Sequence, residues 1–499
     1  METGFVDFNQ WVFGLTVAAF LLIGCWGFWK IKSPFDFFHI GDDTKLKKFF
    51  FFFEVKPNNL VYLIISLTAA NISLGTGFVY FLVAVSKNGI LFILIPISVV
   101  TGYFWLSSFL NSLPKELSEG KNLIDSFNTK ISEQIGKPSY FKKFLSYSLI
   151  AVFCLVLSFE IFASSSIIAT VIFNNPDVAL QVKISIVITL IALVYTTLGG
   201  MKGVVRTDIL QLIFIVFSFI GLLYFLLKQD GTTIKESLTS IVKLSSPEIW
   251  VGVITASILA IATQFYSLIN MGIVTHLETA KRGKLLKWGG SLSAFAFILI
   301  FIISALNHNS PNSNPLVNFL TTLSVEKSKT LAFFLIVGFA SIVFSTIDTV
   351  MITIGMFSYD NIENKNSKLN DTNYNEVNKI RLRNLLFFAV LLLLLGFFNF
   401  YHPDIFYLLL GLGSPVAILA PMIYLAGMLS RKNQLGKLSN NACIFYLVLF
   451  FITHCIYFYG IFAHNQIIPS YIGLFSIVIS VAYSIWIYKS NTNPKTEEL

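Results

Sequence analysis

The sequence predicts an all-α integral membrane protein of about 13 transmembrane helices, built on a core of five helices and an inverted repeat of five more. Three observations carry this. The 499 residues are 55% hydrophobic and only 12% charged, with a mean hydropathy of +0.75, which is more apolar surface than a soluble fold can hide. Apolar stretches recur at about the 20 residues that a bilayer core of about 30 Å requires. Two of these stretches, five spans apart, are interrupted by polar and glycine residues, and interruptions in corresponding positions mark the two halves of an inverted-repeat transporter.

In chain order the apolar stretches lie near residues 8–29, 58–84, 89–111, 144–173, 181–198, 207–227, 249–273, 288–306, 331–357, 385–400, 403–429, 442–463 and 468–488. The first follows "METGFVDFNQ", which is acidic rather than basic, so it reads as a true span and not as a cleaved leader. The whole chain, 1–499, is then one membrane transporter domain. An extra N-terminal helix (8–29) precedes the first repeat (58–227), the second repeat (249–429) follows, and two C-terminal helices (442–488) close the chain.

Charge sets the topology. Of the 35 Lys and Arg residues, 28 fall in one set of alternating loops, and basic loops stay on the cytoplasmic side. The expectation is a multi-pass protein of the plasma (cytoplasmic) membrane with its N-terminus outside and its C-terminus inside. The net charge of +9 is accounted for by this bias and is not a nucleic-acid footprint. The run "KLKKFFFFFEVK" from Lys45 reads as an interfacial segment facing membrane lipids, or as a plain amphipathic connector. Cys25, Cys154, Cys443 and Cys455 all fall in apolar spans without metal-ligand spacing.

The interruptions are "TAANISLGTGF" (Thr68 to Phe78) and "TQFYSLINMGI" (Thr263 to Ile273). Irregular backbone at membrane depth is tolerated only where it is buried or lines a cavity, so a solute pocket is expected beside both. This nominates Asn71, Ser73 and Thr76 from the first break, Tyr266 and Asn270 from the second, and Glu160 from the third core helix. Glu160 admits three readings: recognition of a solute amine, carriage of a proton, or a hydrogen-bonded structural role.

In "FSTIDTVM" (Phe344 to Met351) a carboxylate and hydroxyls stand inside a long apolar run. Ser341, Ser345, Asp348, Thr349 and Thr353 follow steps of three and four, so they share one helical face. Hydroxyl and carboxylate oxygens suit a hard cation, and the same stripe suits hydrogen-bonded helix packing. In "YTTLGGMKGVVRTDILQ" (Tyr195 to Gln211), Gly199 and Gly200 are expected to turn the chain. Thr207 and Asp208 then either cap the next helix or turn Asp208 toward the cation region.

Taken together, Tyr195 to Gln211, the Ser-Thr-x-Asp-Thr of Ser345 to Thr349, "AANIS" at Ala69 to Ser73 and "GSPVAILAPMIYLAGMLSRKNQLG" at Gly413 to Gly436 resemble the sodium/solute symporter family. The resemblance implies a LeuT-like fold and uptake of solute driven by Na+. It places a main sodium site at the backbone carbonyls of Ala69, Ile72 and Ile342 and the hydroxyls of Ser345 and Thr346. It implies a second sodium site at Asp208, Ser345, Asp348 and Thr349. Two departures matter: "THLETAK" puts Thr275 and His276 where members commonly carry Gln-Arg, and the second core helix lacks the acidic residue of sugar-carrying members.

The function expected is a sodium-coupled symporter importing a small organic solute, such as an amino acid or organic acid, with sugar disfavoured. Proton coupling on the same fold and a transporter-like solute sensor are the alternatives. An enzyme is not expected, because the six histidines are scattered and form no nucleophile, base and carboxylate grouping. The solute, the sodium stoichiometry and the oligomeric state are not legible in the sequence.

Overall fold

The computed structural model describes residues 2–25, 31–33, 37–38, 60–113, 138–173, 177–230, 247–274, 277, 279–307, 329–363, 374–401, 418–429, 431–432, 440–463 and 467–492. Its helices are α1 (Glu2–Cys25), α2 (Leu60–Asn71), α3 (Tyr80–Asn88), α4 (Leu94–Asn111), α5 (Pro138–Phe173), α6 (Val178–Asp230) and α7 (Pro247–Tyr266). They continue with α8 (Leu268–Val274), α9 (Thr279–Asn307), α10 (Lys329–Glu363), α11 (Tyr374–Tyr401), α12 (Ile418–Leu429), α13 (Asn440–Phe462) and α14 (Ile467–Thr492).

Among the described residues, 8 helices are long and apolar enough to cross a membrane, and shorter apolar helices stand between them. One of the 8 is α6, which is two spans in one run. At Gly200 the backbone takes φ 55 and ψ −161, and a Cβ there would lie 2.5 Å from the Phe37 carbonyl oxygen, so only glycine fits. Conversely, α2 and α3 are the two pieces of one interrupted span. The helices α7 and α8 are likewise the two pieces of one interrupted span, and with these three adjustments the elements follow the expected order of 13 spans.

One expectation needs correction. Thr207 and Asp208 do not stand at a helix start, because the second half of α6 begins directly after Gly200 and residues 201–206 are already helical. Neither residue therefore acts as an N-cap.

Both interruptions are present. After Asn71, residues 72–73 leave the helix, with Ser73 extended at φ −109 and ψ 150. The chain then re-enters through a wide π turn, Leu74–Val79, where the Phe78 N–H donates to the Ser73 carbonyl at 2.9 Å. In the second interruption α7 ends at Tyr266 and the short α8 starts at Leu268. The Ser267 hydroxyl accepts the Asn270 N–H at 3.2 Å, the N-cap pattern that lets a helix restart after one residue.

At the centre sits α10. Nearly every side chain from Leu335 to Tyr359 is buried, and the helix packs against α1, α2, α5, α6 and α8. A helix apolar and enclosed on all sides forms the interior of a bundle. The contacts are aromatic: Phe344 meets Phe20 of α1 and Tyr195 of α6, while Phe339 meets Phe78 of the π turn. The pair α13 and α14 pack on each other and reach the core through α7.

Candidate ion and solute site

The α10 stripe divides once its partners are known. Ser341 and Thr353 bond back to their own helix, Ser341 to the Val337 carbonyl at 2.7 Å and Thr353 to the Thr349 carbonyl. Helix packing describes these two. Ser345 and Asp348 instead meet groups from α6, Thr346 meets the carbonyl of Ile72 just beyond α2, and the Thr349 hydroxyl turns to Asp348 of its own helix.

Asp208 and Asp348 are both fully buried. The hydroxyls of Ser66 (α2) and Ser345 (α10) donate to Asp208, the latter at 2.9 Å to Oδ1. The Tyr195 hydroxyl (α6) donates to Asp348 Oδ2 and lies 3.2 Å from the Phe344 carbonyl. Thr207 Oγ1 lies 3.4 Å from the same Oδ2, and the Thr349 hydroxyl donates to Oδ1 at 3.2 Å. Among the described residues neither carboxylate meets a Lys or Arg side chain. Removing an ion from water costs several kcal/mol even after relaxation, so two carboxylates at this depth without a basic partner call for neutralisation from outside the chain, by a cation or by protons.

The main set lies one turn along α10. The Thr346 hydroxyl donates to the Ile72 carbonyl at 3.1 Å, and the Ile72 N–H donates to the Ala69 carbonyl at 3.1 Å. Thr346, Ile72 and Ala69 are thus contiguous across the α2 and α10 contact, with Ile342 fully buried one turn before Thr346. Ser345 belongs to this turn and also touches Asp208, so it joins the two sets. Among the described residues no three His, Cys, Asp or Glu side chains gather as a metal site. The donors are hydroxyls, carbonyls and the two carboxylates, oxygen ligands of the kind that suit a hard cation.

The residues expected around the solute fall in two places. Asn270 Oδ1 accepts the Tyr103 hydroxyl of α4 at 2.9 Å, and its Nδ2 donates to Gln264 Oε1 at 2.9 Å. Asn71 donates to the Leu67 carbonyl at 2.7 Å and also meets the Tyr103 phenol, so Asn71 and Asn270 from the two interruptions share one partner. Glu160 stands elsewhere, on α5 against the first break. Its Oε1 accepts the N–H groups of Leu74 at 2.8 Å and Gly75 at 2.9 Å, with the Ser164 hydroxyl at 3.4 Å. Ser73 is buried at the break itself.

The side chains of Thr76, Tyr266 and Cys443, and Thr275, His276, residues 45–56 and residues 413–417, lie outside the described residues. Cys25, Cys154 and Cys455 are free thiols. His454 on the peripheral α13 lies 2.9 Å from the Phe450 carbonyl and against the Phe450 ring, a structural setting away from either cluster.

Ser66, Tyr195, Tyr103 and Gln264 complete these clusters without having been given a role from the sequence, and Thr207, expected as a possible helix cap, lies instead beside Asp348. Tyr195 and Thr207 stand inside a quoted motif, and steps of four link Thr207 to Gly203 and Gln211. A serine in "IISLTAAN" and a tyrosine in an apolar span carry no comparable signal.

No family model matches the sequence, and no curated protein matches it in sequence. Solved structures do match in three dimensions. A Na+-coupled sialic acid symporter in a substrate-bound outward-open state superposes over 96% of this chain and 98% of its own, with a TM-score of 0.69 at 14% identity. Mhp1, a nucleobase-cation-symport-1 family transporter in a closed conformation with bromovinylhydantoin bound, covers 88% and 94%, with a TM-score of 0.53 at 12% identity. The Eremococcus coleocola manganese transporter covers 87% and 95%, with a TM-score of 0.52 at 13% identity. The chain has the LeuT-like transporter fold that these structures share.

Proposed function

We propose that this LeuT-fold chain is a sodium-coupled symporter that imports a small organic solute by alternating access. The observation that carries the reading is the pair of buried carboxylates, Asp208 and Asp348, set among five hydroxyls with no basic side chain beside them among the described residues. Sodium ions are the counter-charge. The main site is formed by Ala69, Ile72, Ile342, Ser345 and Thr346, and the second by Asp208, Ser345, Asp348 and Thr349.

The main site joins α10 to the broken α2, and an ion held there favours the arrangement in which the two stay in contact. Binding energy for sodium is thereby coupled to the position of the first break, where the solute binds near Asn71, Ser73, Thr76, Glu160, Tyr266 and Asn270. Releasing the ion to the cytoplasm removes that bias and lets the break move, so solute and ion leave together.

The chain acts as one transporter domain, with repeats over 58–227 and 249–429, in the plasma membrane with N-terminus outside and C-terminus inside. Amino acids, organic acids and similar small molecules are its candidate solutes, and sugars are disfavoured by the second core helix. The two carboxylates also suit neutralisation by protons, which makes a proton-coupled symporter the second reading. Uptake into proteoliposomes at fixed pH, with an imposed sodium gradient and then without it, separates the two. Accumulation that survives the absence of sodium and follows a proton gradient would replace the first reading with the second.

A further inference from the structure

The N-terminal end of a half-helix at a membrane break carries free N–H groups and the positive end of the helix dipole, and in transporters of this architecture such ends face the anionic group of a solute. In this chain that position is taken. Glu160 Oε1 accepts the N–H groups of both Leu74 and Gly75, the first two residues after the extended Ser73. The carboxylate is fully buried.

The backbone is arranged for this contact. A Cβ added to Gly75 would lie 2.9 Å from the Ala163 Cβ, 3.0 Å from Glu160 Oε2 and 3.1 Å from the Glu160 Cα. A glycine at this point is what allows α5 to approach the break closely enough for a short glutamate side chain to reach the two N–H groups. Ser164, one turn on, supports the same oxygen at 3.4 Å. The other polar side chains described in the shared cluster of the two breaks are neutral: the amides of Asn71, Asn270 and Gln264 and the phenol of Tyr103.

We infer that Glu160 is a built-in carboxylate that fills the anion seat of the first broken helix, making it a positioning and specificity-determining residue, and that the transported solute carries no free carboxylate. This rests on the symporter reading for the word "transported", while the occupied seat stands on the geometry alone. A carboxylate solute would have to displace Glu160 or leave two negative charges side by side in a dry site. A neutral solute meets amide and phenol groups and leaves the seat intact. Among the candidate solutes named above, organic acids and amino acids with a free carboxylate are therefore excluded, and neutral derivatives such as amides remain.

The test has two arms on the purified full-length protein. In the first, wild type in sodium buffer is screened by thermal unfolding and by proteoliposome uptake against matched pairs: lactate and lactamide, proline and prolinamide, N-acetylneuraminate and its carboxamide. Stabilisation and uptake are expected only from members without a carboxylate. Uptake of a carboxylate member in preference to its partner would overturn the inference. In the second arm Glu160→Ala vacates the seat, and acetate or formate at tens of millimolar is compared with equal chloride. A rise of several degrees in unfolding temperature is expected for the variant and none for wild type, a response that general destabilisation does not produce. A folded Glu160→Ala protein indifferent to both anions would also overturn it. Glu160→Gln keeps an acceptor oxygen for both N–H groups and should unfold within a few degrees of wild type; its failure to fold would count against the inference. Acetate rescue is read without transport, so a loss of sodium dependence with rescue intact would sink only the symporter reading.

Discussion

Thr346 of α10 donates a 3.1 Å hydrogen bond to the carbonyl oxygen of Ile72, the first residue beyond the end of α2. The carbonyl is open to the hydroxyl because the α-helix stops at Asn71 and, among the described residues, no later backbone N–H takes it up. A break in one helix and a hydroxyl on another thus meet at the point where the main ion is proposed to sit.

Thr346→Ala and Ser345→Ala each remove an oxygen without adding bulk. Each should raise the sodium concentration for half-maximal uptake by about tenfold, the effect of roughly 1.4 kcal/mol, with expression near wild type. Sodium titration of uptake checks this. Unchanged half-saturation in both variants would place the main ion elsewhere.

The stoichiometry depends on Asp208 and Asp348. One sodium ion crossing 100 mV inward releases about 2.3 kcal/mol, and a tenfold gradient adds about 1.4 kcal/mol. Together these sustain a neutral solute gradient of roughly 500-fold, and a second ion would square it. Two ions are expected per cycle. Asp208→Asn keeps one acceptor oxygen and the side-chain shape, with one of the two serine hydroxyls turning to accept from the amide N–H, but loses the charge, so the charge moved per solute, read from the reversal potential, should fall by one. One charge per neutral solute in both proteins would remove the second site.

Asn270→Ala and Tyr103→Phe should alter which solutes compete for uptake, because they break the hydrogen bond that joins α4 to the second interruption. Sodium binding by the solute-free protein should stay within a few-fold, since neither residue touches the ion cluster. Competition profiles measured alongside sodium titration would expose the error if both properties moved together.

Gly200→Ala should be among the most damaging small substitutions in the chain. It places a β-carbon on a residue at φ 55 and 2.5 Å from the Phe37 carbonyl oxygen, a strain of about 1–3 kcal/mol before the clash is counted. The expected outcome is a clear loss of thermal stability in detergent. Val216→Ala, at an exposed position of the same helix, serves as the control and should unfold close to wild type. Equal stability of the two variants would contradict the positive φ.

Topology is open to a direct measurement. Single cysteines placed at the N-terminus and after residue 492 should react with a membrane-impermeant maleimide from outside only in the first case. The reverse pattern would invert the assignment made from the basic loops.

The sequence by itself determined the membrane class, the order of spans and the two interrupted helices, because hydropathy and backbone-breaking residues act locally and must be satisfied within each segment in a bilayer. It also carried the α10 stripe, since steps of three and four place residues on one face before any partner is known. Which members of the stripe look outward was decided only by packing: Ser341 and Thr353 bond to their own helix, whereas Ser345 and Thr346 find α6 and α2. The same holds for Asp208, read from its neighbours as a candidate helix cap and found in the middle of α6, because one residue at Gly200 suffices to turn the chain. Ser66, Tyr103 and Gln264 gain their roles from partners that packing alone brings to them, and no local pattern marks them out. Glu160 is the clearest case: the sequence places a carboxylate at membrane depth, and only the approach of α5 to Gly75 shows which two N–H groups it holds.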